Sequence, residues 1–301
     1  MARSLPPLPT ATPFQSPAWL LPWWRAYGSD EPCAIAVRKN DALTSLAPLY
    51  VLRDDDESLG MFVGSGISDY LDMLGDDAEA VLAELAGIDC QLWDLQQLRP
   101  SSPLLTAALP EGLSDAVMEQ EPCPILALGG ELGSTHFRKK IRYYRRALER
   151  DAPVVVEEAT SANLDALLAA LFELHAARWE RRGLPGVLAD DTVRQFHHEV
   201  ARGMLAEGEL RMYATRVGER IVAVFYGFAH GGSVYYYLSG YDPELEKLSI
   251  GTLIVAHAVE QAARDGATTF DFLRGAEEYK YAWGAVDRMN MRRQVFKNDE
   301  R

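Results

Sequence analysis

The residues best suited to chemistry cluster between Ser233 and Gly284. Ser249-Ile-Gly-Thr252 opens an apolar-periodic run, and the unpaired amides and dipole at the start of a helix favour an anion. Lys280 stands in the aromatic turn Glu277-Glu-Tyr-Lys-Tyr-Ala-Trp283, where an ammonium must find an anionic partner or lose its proton. Tyr279 beside it offers either a phenolic proton or a packed ring with one hydrogen bond. Asp271 alternates with Phe270 and Phe272. It could be a base acting through water, or it could fix Arg274 or Lys280 by pairing with them. Asp242, in Gly240-Tyr-Asp-Pro243, reads as a turn residue.

These residues need a scaffold that brings them to one end. Val234–Ser239 reads as a buried strand. Ser249 is the expected N-cap of a helix over Ile250–Arg264, which Asp265-Gly266 stops. Thr268–Leu273 is the next strand, and Arg274-Gly275 turns into a short aromatic helix. A strand–helix–strand unit of this length predicts a parallel crossover, with the ligand crevice at the carboxyl ends of its strands. Tyr241, Asp242, Ser249, Arg274, Tyr279 and Lys280 would gather there.

Upstream, Val154–Glu158 reads as a strand. Ser161 is expected to cap a helix through Leu164, Leu168, Leu171 and Arg178-Trp179, and Asp191–Leu205 forms another. Leu210–Arg216, Ile221–Ala229 and Ser233–Ser239 form an antiparallel meander with turns at Gly218-Glu219 and Gly231-Gly232. Met291–Phe296 closes with a strand. Ser134 can cap a basic helix over Arg138–Arg150, which either packs Phe137, Ile141, Tyr144 and Leu148 beneath a solvated face or touches a polyanion.

The first half is less punctuated. Met1–Pro13 reads as an irregular leader. Ser16 caps a helix with Pro17 in its first turn, and its tryptophans Trp19, Trp23 and Trp24 read as core. Ala34–Arg38 and Leu43–Leu52 suggest a hairpin, and Asp54–Glu57 an exposed acidic loop. Gly64-Ser-Gly66 suggests close backbone approach or a phosphate-cradling turn. Asp69 and Asp72 could cap a helix near Ala78–Gly87 or ligate a metal, with the cap favoured. Gln91–Leu95 is a short strand and Ser101–Leu109 a short helix. Prolines and glycines over Glu121–Gly133 mark the end of a domain. The expected division is a leader over 1–13, a first domain over 14–133, a basic linker helix over 134–150 and a second domain over 151–301.

With 301 residues, 48% of them hydrophobic and 25% charged, the chain is long enough for two globular domains. A net charge of −14 argues against nucleic-acid binding over the whole surface. Cys33, Cys90 and Cys123 are too far apart for a Cys-x-x-Cys pair and read as reduced thiols. Neither a signal peptide nor a transmembrane run is evident, so the expected compartment is the cytoplasm. No Walker loop, Gly-x-Ser-x-Gly element or Rossmann fingerprint occurs. His197-His198 lacks a partner at helical spacing, so no metal site is expected.

The order of elements in the second half resembles the GNAT acyltransferase fold. Leu174-His-Ala-Ala-Arg-Trp179, Tyr235-Tyr-Tyr-Leu-Ser-Gly-Tyr-Asp242, Leu248-Ser-Ile-Gly-Thr252 and Asp271-Phe-Leu-Arg-Gly275 with Tyr279-Lys280 and Trp283-Gly284 narrow the likeness. They resemble the bacterial GNAT-type acetyltransferase family linked to cellulose and exopolysaccharide synthesis, with its BioF2-like domain. Ser16-Pro-Ala-Trp19 and Gly64–Tyr70 fit it too, and the family is similar to the Fem aminoacyltransferases.

This resemblance implies an α/β fold of tandem GNAT-like domains, each a mixed, mostly antiparallel sheet flanked by helices. It implies an N-acyltransferase using acetyl-CoA or another acyl-CoA, with an amino sugar or envelope precursor as acceptor. The alternatives are Fem-like transfer from aminoacyl-tRNA, or a catalytically silent binding protein. Tyr279 would be the acid, Lys280 would hold the donor's phosphate or carbonyl, and Asp271 could serve as base. Ser249, Ile250, Gly251, Thr252 and Arg274 would bind the donor. Asp69, Tyr70, Arg178, Trp179, Tyr241 and Trp283 would meet substrate. Acetyl-CoA-using GNAT enzymes usually carry Gln/Arg-x-x-Gly-x-Gly/Ala at the pyrophosphate loop; here the stretch is Glu246-Lys-Leu-Ser-Ile-Gly251.

Overall fold

The computed structural model describes residues 11–28, 32–54, 57–150, 152–181 and 183–298. Most of the expected leader, and two residues of the acidic loop, lie outside these. Contacts divide the chain into two compact units. One runs up to Pro122 and resumes at Arg288, and the other is Cys123–Asp287.

The first unit opens with α1 (Pro17–Tyr27), then β1 (Pro32–Lys39) and β2 (Ala42–Asp54). The β1–β2 turn holds Asn40 at φ 50° and Asp41 at φ 63°. A two-residue hairpin turn needs both residues left-handed to match the strand twist, and Asn and Asp tolerate that region. After β3 (Glu57–Phe62), α2 (Ala78–Gly87), β4 (Leu92–Leu98) and β5 (Leu113–Ala127), the sheet runs β1–β2–β3–β4 with only the β3–β4 pair parallel. Val81, Leu82 and Leu85 of α2 share a core with Leu49, Phe62, Trp93 and Leu95. Each such side chain contributes about 1.5–3 kcal/mol of burial.

Trp19 and Trp23 are buried, as expected of core residues. Trp19 Nε1 donates to Ser68 Oγ at 2.8 Å, and Ser68 Oγ donates to the Gly64 carbonyl at 2.7 Å. A Cβ on Gly64 would lie 2.7 Å from Ser68 Oγ, so this glycine turn closes over a tryptophan.

Several local expectations change. Ser16 begins α1 without a side-chain cap bond. Asp77, not Asp69 or Asp72, caps α2 by accepting from Ala80 N. The Ser101–Leu109 helix shrinks to a 3-10 turn over Pro103–Leu105. The loop expected from Glu121 begins as the end of β5, with Pro122 and Pro124 inside the strand. A proline is tolerated in a strand where no ladder donor is required of it. The Pro124 carbonyl still accepts from Phe272 N at 2.9 Å.

The second unit contains α3 (Thr135–Leu148), β6 (Val154–Glu158), α4 (Leu164–Glu180), α5 (Asp191–Ala206), β7 (Leu210–Val217), β8 (Arg220–His230), β9 (Ser233–Tyr241), α6 (Ile250–Arg264), β10 (Thr269–Asp271) and α7 (Glu278–Tyr281). The last strand, β11 (Val286–Lys297), pairs with β4, so from Arg288 it belongs to the first unit. Within this unit the strand order runs from the end of β5 through β10, β9, β8 and β7 to β6. Only β9 and β10 are parallel, with Phe270 opposite Val234, and α6 is the crossover between them.

Helix α6 buries Ile250, Leu253, Ile254 and Val259 with Phe225, Tyr236, Phe270 and Phe272. Ser134 Oγ caps α3 by accepting from Phe137 N at 3.1 Å, as expected. Ile141 and Leu148 place α3 in the same core, and Arg145 pairs with Glu260 of α6 at 3.0 Å. Asn163, not Ser161, occupies the N-cap position of α4. The class is the expected mixed α/β one, a mixed and mostly antiparallel sheet flanked by helices.

Candidate functional site

At the carboxyl end of β9 the second unit holds a cavity of ≈ 260 Å³. One wall is the start of α6, Ser249–Thr252 with Val255. Arg178 comes from α4, while Tyr236, Ser239 and Tyr241 come from β9. Phe137, Tyr279, Ala282 and Trp283 form the aromatic side, and Glu246 also lines it. Phe137 and Trp283 meet edge to face at 4.8 Å.

Ser249 starts α6 differently from expectation. Its side chain makes no cap bond. Its backbone is left-handed, φ 51° and ψ 40°, and its carbonyl accepts from Leu253 N at 3.1 Å. The amides of Ile250, Gly251 and Thr252 precede that first helical bond, so the positive end of the helix dipole borders the cavity. A Cβ on Gly251 would lie 2.8 Å from Tyr241 Cδ1. This glycine is therefore needed for Tyr241 to pack on the helix.

Tyr241 in turn carries Arg178, whose Cζ stands 4.9 Å from the ring centroid. Arg178 Nε is buried without a hydrogen-bond partner, and no carboxylate pairs with this guanidinium among the described residues. A desolvated donor left unsatisfied costs about 1–3 kcal/mol, which an anionic ligand would recover.

Three hydroxyls form the other polar feature. Tyr236 Oη and Ser239 Oγ are 2.5 Å apart, and Tyr279 lines the same cavity. Tyr279 is 43% exposed as a residue; the burial it does have raises its phenol, with Tyr236 and Glu277 adding to the rise. Burial also raises Tyr236, opposed by the Ser239 bond and the Arg178 charge. Both phenols are therefore neutral at physiological pH.

The expected site residues divide. Ser249, Ile250, Gly251, Thr252, Arg178, Tyr241, Tyr279 and Trp283 line the one cavity. Lys280 does not. It is 2% exposed, and its Nζ donates to the carbonyls of Leu273 at 3.1 Å, Arg274 at 2.7 Å and Gly275 at 3.0 Å. Glu277 supplies its counter-charge at 2.9 Å. An ammonium has three N–H donors, so none is left for a donor phosphate or an oxyanion.

Asp271 is buried at the end of β10, and its Oδ1 accepts from Leu273 N at 2.9 Å. It shapes the turn, where Leu273 is left-handed at φ 57°. Neither Asp271 nor Arg274 lines the cavity. Trp179 Nε1 donates to His175 Nε2 at 2.9 Å, away from the cavity lining, and this fixes the His175 tautomer with its proton on Nδ1. Asp242 is a turn residue, as expected: it accepts from Glu244 N and pairs with Arg220.

Asp69 and Tyr70 belong to the first unit and are buried there. The Asp69 carbonyl accepts from Asn290 Nδ2 at 2.8 Å, and Tyr70 Oη accepts from Arg288 Nη2 at 2.7 Å.

Phe137, Tyr236, Ser239 and Val255 were not singled out as site residues in the sequence, and Glu246, a carboxylate that repels a diphosphate where it turns inward, lines the cavity with them. Strict alternation puts Tyr236 and Ser239 on opposite faces of β9. A bulge in the β8–β9 ladder pairs Gly227 with Tyr236 and Tyr226 with Leu238, leaving Tyr237 as an extra residue. One extra residue shifts the phase, so Tyr236 and Ser239 share a face.

Residues 135–281 match the family of the acetyltransferase (GNAT) domain, a range that holds nearly the whole cavity lining. Solved structures show the same fold over most of the chain. FemX aligns at 13% identity and a TM-score of 0.66, covering 95% of this chain and 92% of its own. L-PGS from Bacillus licheniformis aligns at 13% and 0.60, covering 94% and 92%. A carboxyl-terminal domain assigned to a lysylphosphatidylglycerol synthetase of Agrobacterium fabrum aligns at 11% and 0.58, covering 95% and 88%. A search of curated proteins by sequence gives no match. The fold and the match point to an enzyme that carries a GNAT acetyltransferase domain over residues 135–281.

Proposed function

We propose that the enzyme is an N-acyltransferase that moves an acyl group from an acyl-CoA, acetyl-CoA in the first instance, to the amine of a small molecule, amino sugar or envelope precursor. The observation that carries this reading is the opening of α6 onto the same cavity as the unpaired Arg178 and the Tyr279 hydroxyl. Free amides, a helix dipole and a guanidinium together suit the phosphates of such a donor. Tyr279 then meets the leaving sulfur, and Tyr241 and Trp283 border the substrate. The resemblance to the BioF2-like exopolysaccharide family supports the acceptor class. Among the described residues no helix is long and apolar enough to cross a membrane.

Calorimetry with CoA and acetyl-CoA tests the donor. Gly251→Leu should displace Tyr241 and cost at least about tenfold in affinity, the loss of roughly one charge-assisted contact. Unchanged affinity, with the fold intact by circular dichroism, would sink the reading.

A second reading, transfer from aminoacyl-tRNA, is favoured by α3. Lys139, Arg142 and Arg146, followed by Arg150, lie at helical spacing, are exposed, and are not ion-paired among the described residues. Phe137 of the same helix lines the cavity. The fold shared with FemX and L-PGS is compatible with this reading. Reversing Arg142, Arg145 and Arg146 to Glu should weaken RNA binding and flatten its salt dependence. Binding and salt slope that survive the reversal leave α3 as a solvated helix.

A further inference from the structure

We infer that the acyl group reaches this cavity on the phosphopantetheine arm of an acidic carrier protein, which docks on α3 and presents one phosphodiester where CoA presents a diphosphate. This rests on the N-acyltransferase reading and keeps its thioester. The C–N bond forms, the C–S bond breaks, and the arm leaves as a thiol with the proton that the amine loses. Acetyl-CoA, which contains the same pantetheine, is then the weaker donor.

Charge around the start of α6 is sparse and mixed. Arg178 is the one basic residue in the cavity lining and Glu246 the one acidic residue. Glu246 lies in the 3-10 turn Pro243–Leu248, and its carbonyl accepts from Ser249 N at 2.8 Å, so it is tied to the opening of the helix. Its carboxylate has no ion pair or hydrogen bond among the described residues. The neighbouring Lys247 is exposed and does not line the cavity. Arg178 and the helix dipole can balance a single phosphodiester. A diphosphate sets its second charge against Glu246.

Helix α3 supplies the docking surface. Its Phe137 lines the cavity, and Lys139, Arg142, Arg146 and Arg150 follow on one exposed face, none of them ion-paired among the described residues. Arg142, Arg146 and Arg150 stand four residues apart, where like charges repel until an anionic partner covers them. From Phe137 to Arg146 the stripe runs roughly 14 Å along the helix. Carboxylates of a partner laid on it are matched in charge, and a flexible arm spans that length to carry its acyl group past Phe137. In a chain of net charge −14 this attraction is local, which fixes where an acidic partner can sit.

An RNA end would suit the same stripe, but it brings a nucleoside and a run of phosphates towards Glu246. A slim arm with one phosphate is the better match for a cavity of ≈ 260 Å³ with a carboxylate in its wall.

The test is calorimetry on the full chain with three acetyl thioesters: acetyl-CoA, acetyl-pantetheine, and an acidic acyl carrier protein bearing the acetylated arm. The carrier should bind at least about tenfold more tightly than acetyl-CoA, and reversing Arg142 and Arg146 to Glu should erase that preference. Glu246→Gln should tighten acetyl-CoA by about fivefold, as for the loss of one like charge at a solvated mouth, and leave acetyl-pantetheine, which has no phosphate, unchanged. Acetyl-CoA bound as tightly as the carrier, or an acetyl-CoA affinity that ignores Glu246→Gln, would overturn the inference. So would an RNA that binds α3 in preference to the carrier, which returns the helix to the aminoacyl-tRNA reading. If none of the three thioesters binds, the N-acyltransferase reading itself falls.

Discussion

The buried arginine pairs of the first unit and Arg178 of the second unit do opposite things. In the first unit Arg293 is 4% exposed, bonded to Asp115 at 2.7 Å and to the carbonyls of Leu104 and Ala107. Arg292 holds Asp94 at 2.7 Å. Asn290, fully buried, donates to the Asp69 carbonyl and to Gln97 Oε1 at 2.7 Å. The Tyr70 ring has Arg288 and Arg99 over it at 5.0 and 5.6 Å. These polar groups are used largely to hold the unit together. In the second unit Arg178, Tyr236 and Tyr279 border a cavity, and Arg178 has no counter-ion among the described residues. Residue type marks both sets as capable of chemistry, and the difference lies in what satisfies them.

The sharpest way to break this contrast is Arg293→Met. It removes a buried charge and leaves Asp115 and two carbonyls unanswered, so a loss of about 3–5 kcal/mol in urea denaturation is expected. A loss under about 1 kcal/mol would mean that the first unit is not built on these pairs.

Lys280→Met should come next, at about 1–3 kcal/mol, because its three carbonyls lose their donor. Activity should fall together with stability. A variant of native stability that had lost only donor affinity would return Lys280 to the ligand.

Arg178→Gln should behave in the reverse way. Its melting midpoint should stay near the parent's, while acetyl-CoA affinity falls by about tenfold or more, as for one charge-assisted bond. Destabilisation without loss of affinity would make Arg178 another structural arginine.

The smallest effects are in pH. Burial raises the Asp72 carboxyl to about 7, against bonds from Ser102 and Met73 and the charge of Arg99. Its folded pKa lies above its unfolded one, so the folded state binds more protons, and stability from this group is lost as pH rises from about 4 to 7. Burial, with Arg178 nearby, lowers the His175 imidazole to about 4. There the unfolded state binds more protons, and stability is lost as pH falls from about 6.5 to 4. Asp72→Asn should therefore remove a falling slope and His175→Phe a rising one, both read from denaturation midpoints between pH 4 and 7. A pair of slopes with the same sign would contradict these environments.

The sequence by itself determined what depends on neighbours along the chain. The crossover β9–α6–β10, the meander β7–β9 and the Ser134 cap were all legible, because strand runs, turn residues and caps act within a few residues. The same locality let the start of α6, Ser249–Thr252, be picked out, and it lines the cavity.

Tertiary structure decided whatever depended on a partner far along the chain. Lys280 was correctly expected to need a counter-charge; its partners, Glu277 and the carbonyls of 273–275, are near in sequence, but only the folded turn aims them at its ammonium. The bulge at Tyr237 put Ser239 beside Tyr236, and β5 ran through two prolines because the strands beside it settled which groups had to bond. Arg178 met Tyr241 and the start of α6 only once α4 packed on the sheet. Hydrogen bonds and desolvation act through space, so a side chain's type states what it can bind, and the folded surroundings choose what it does bind.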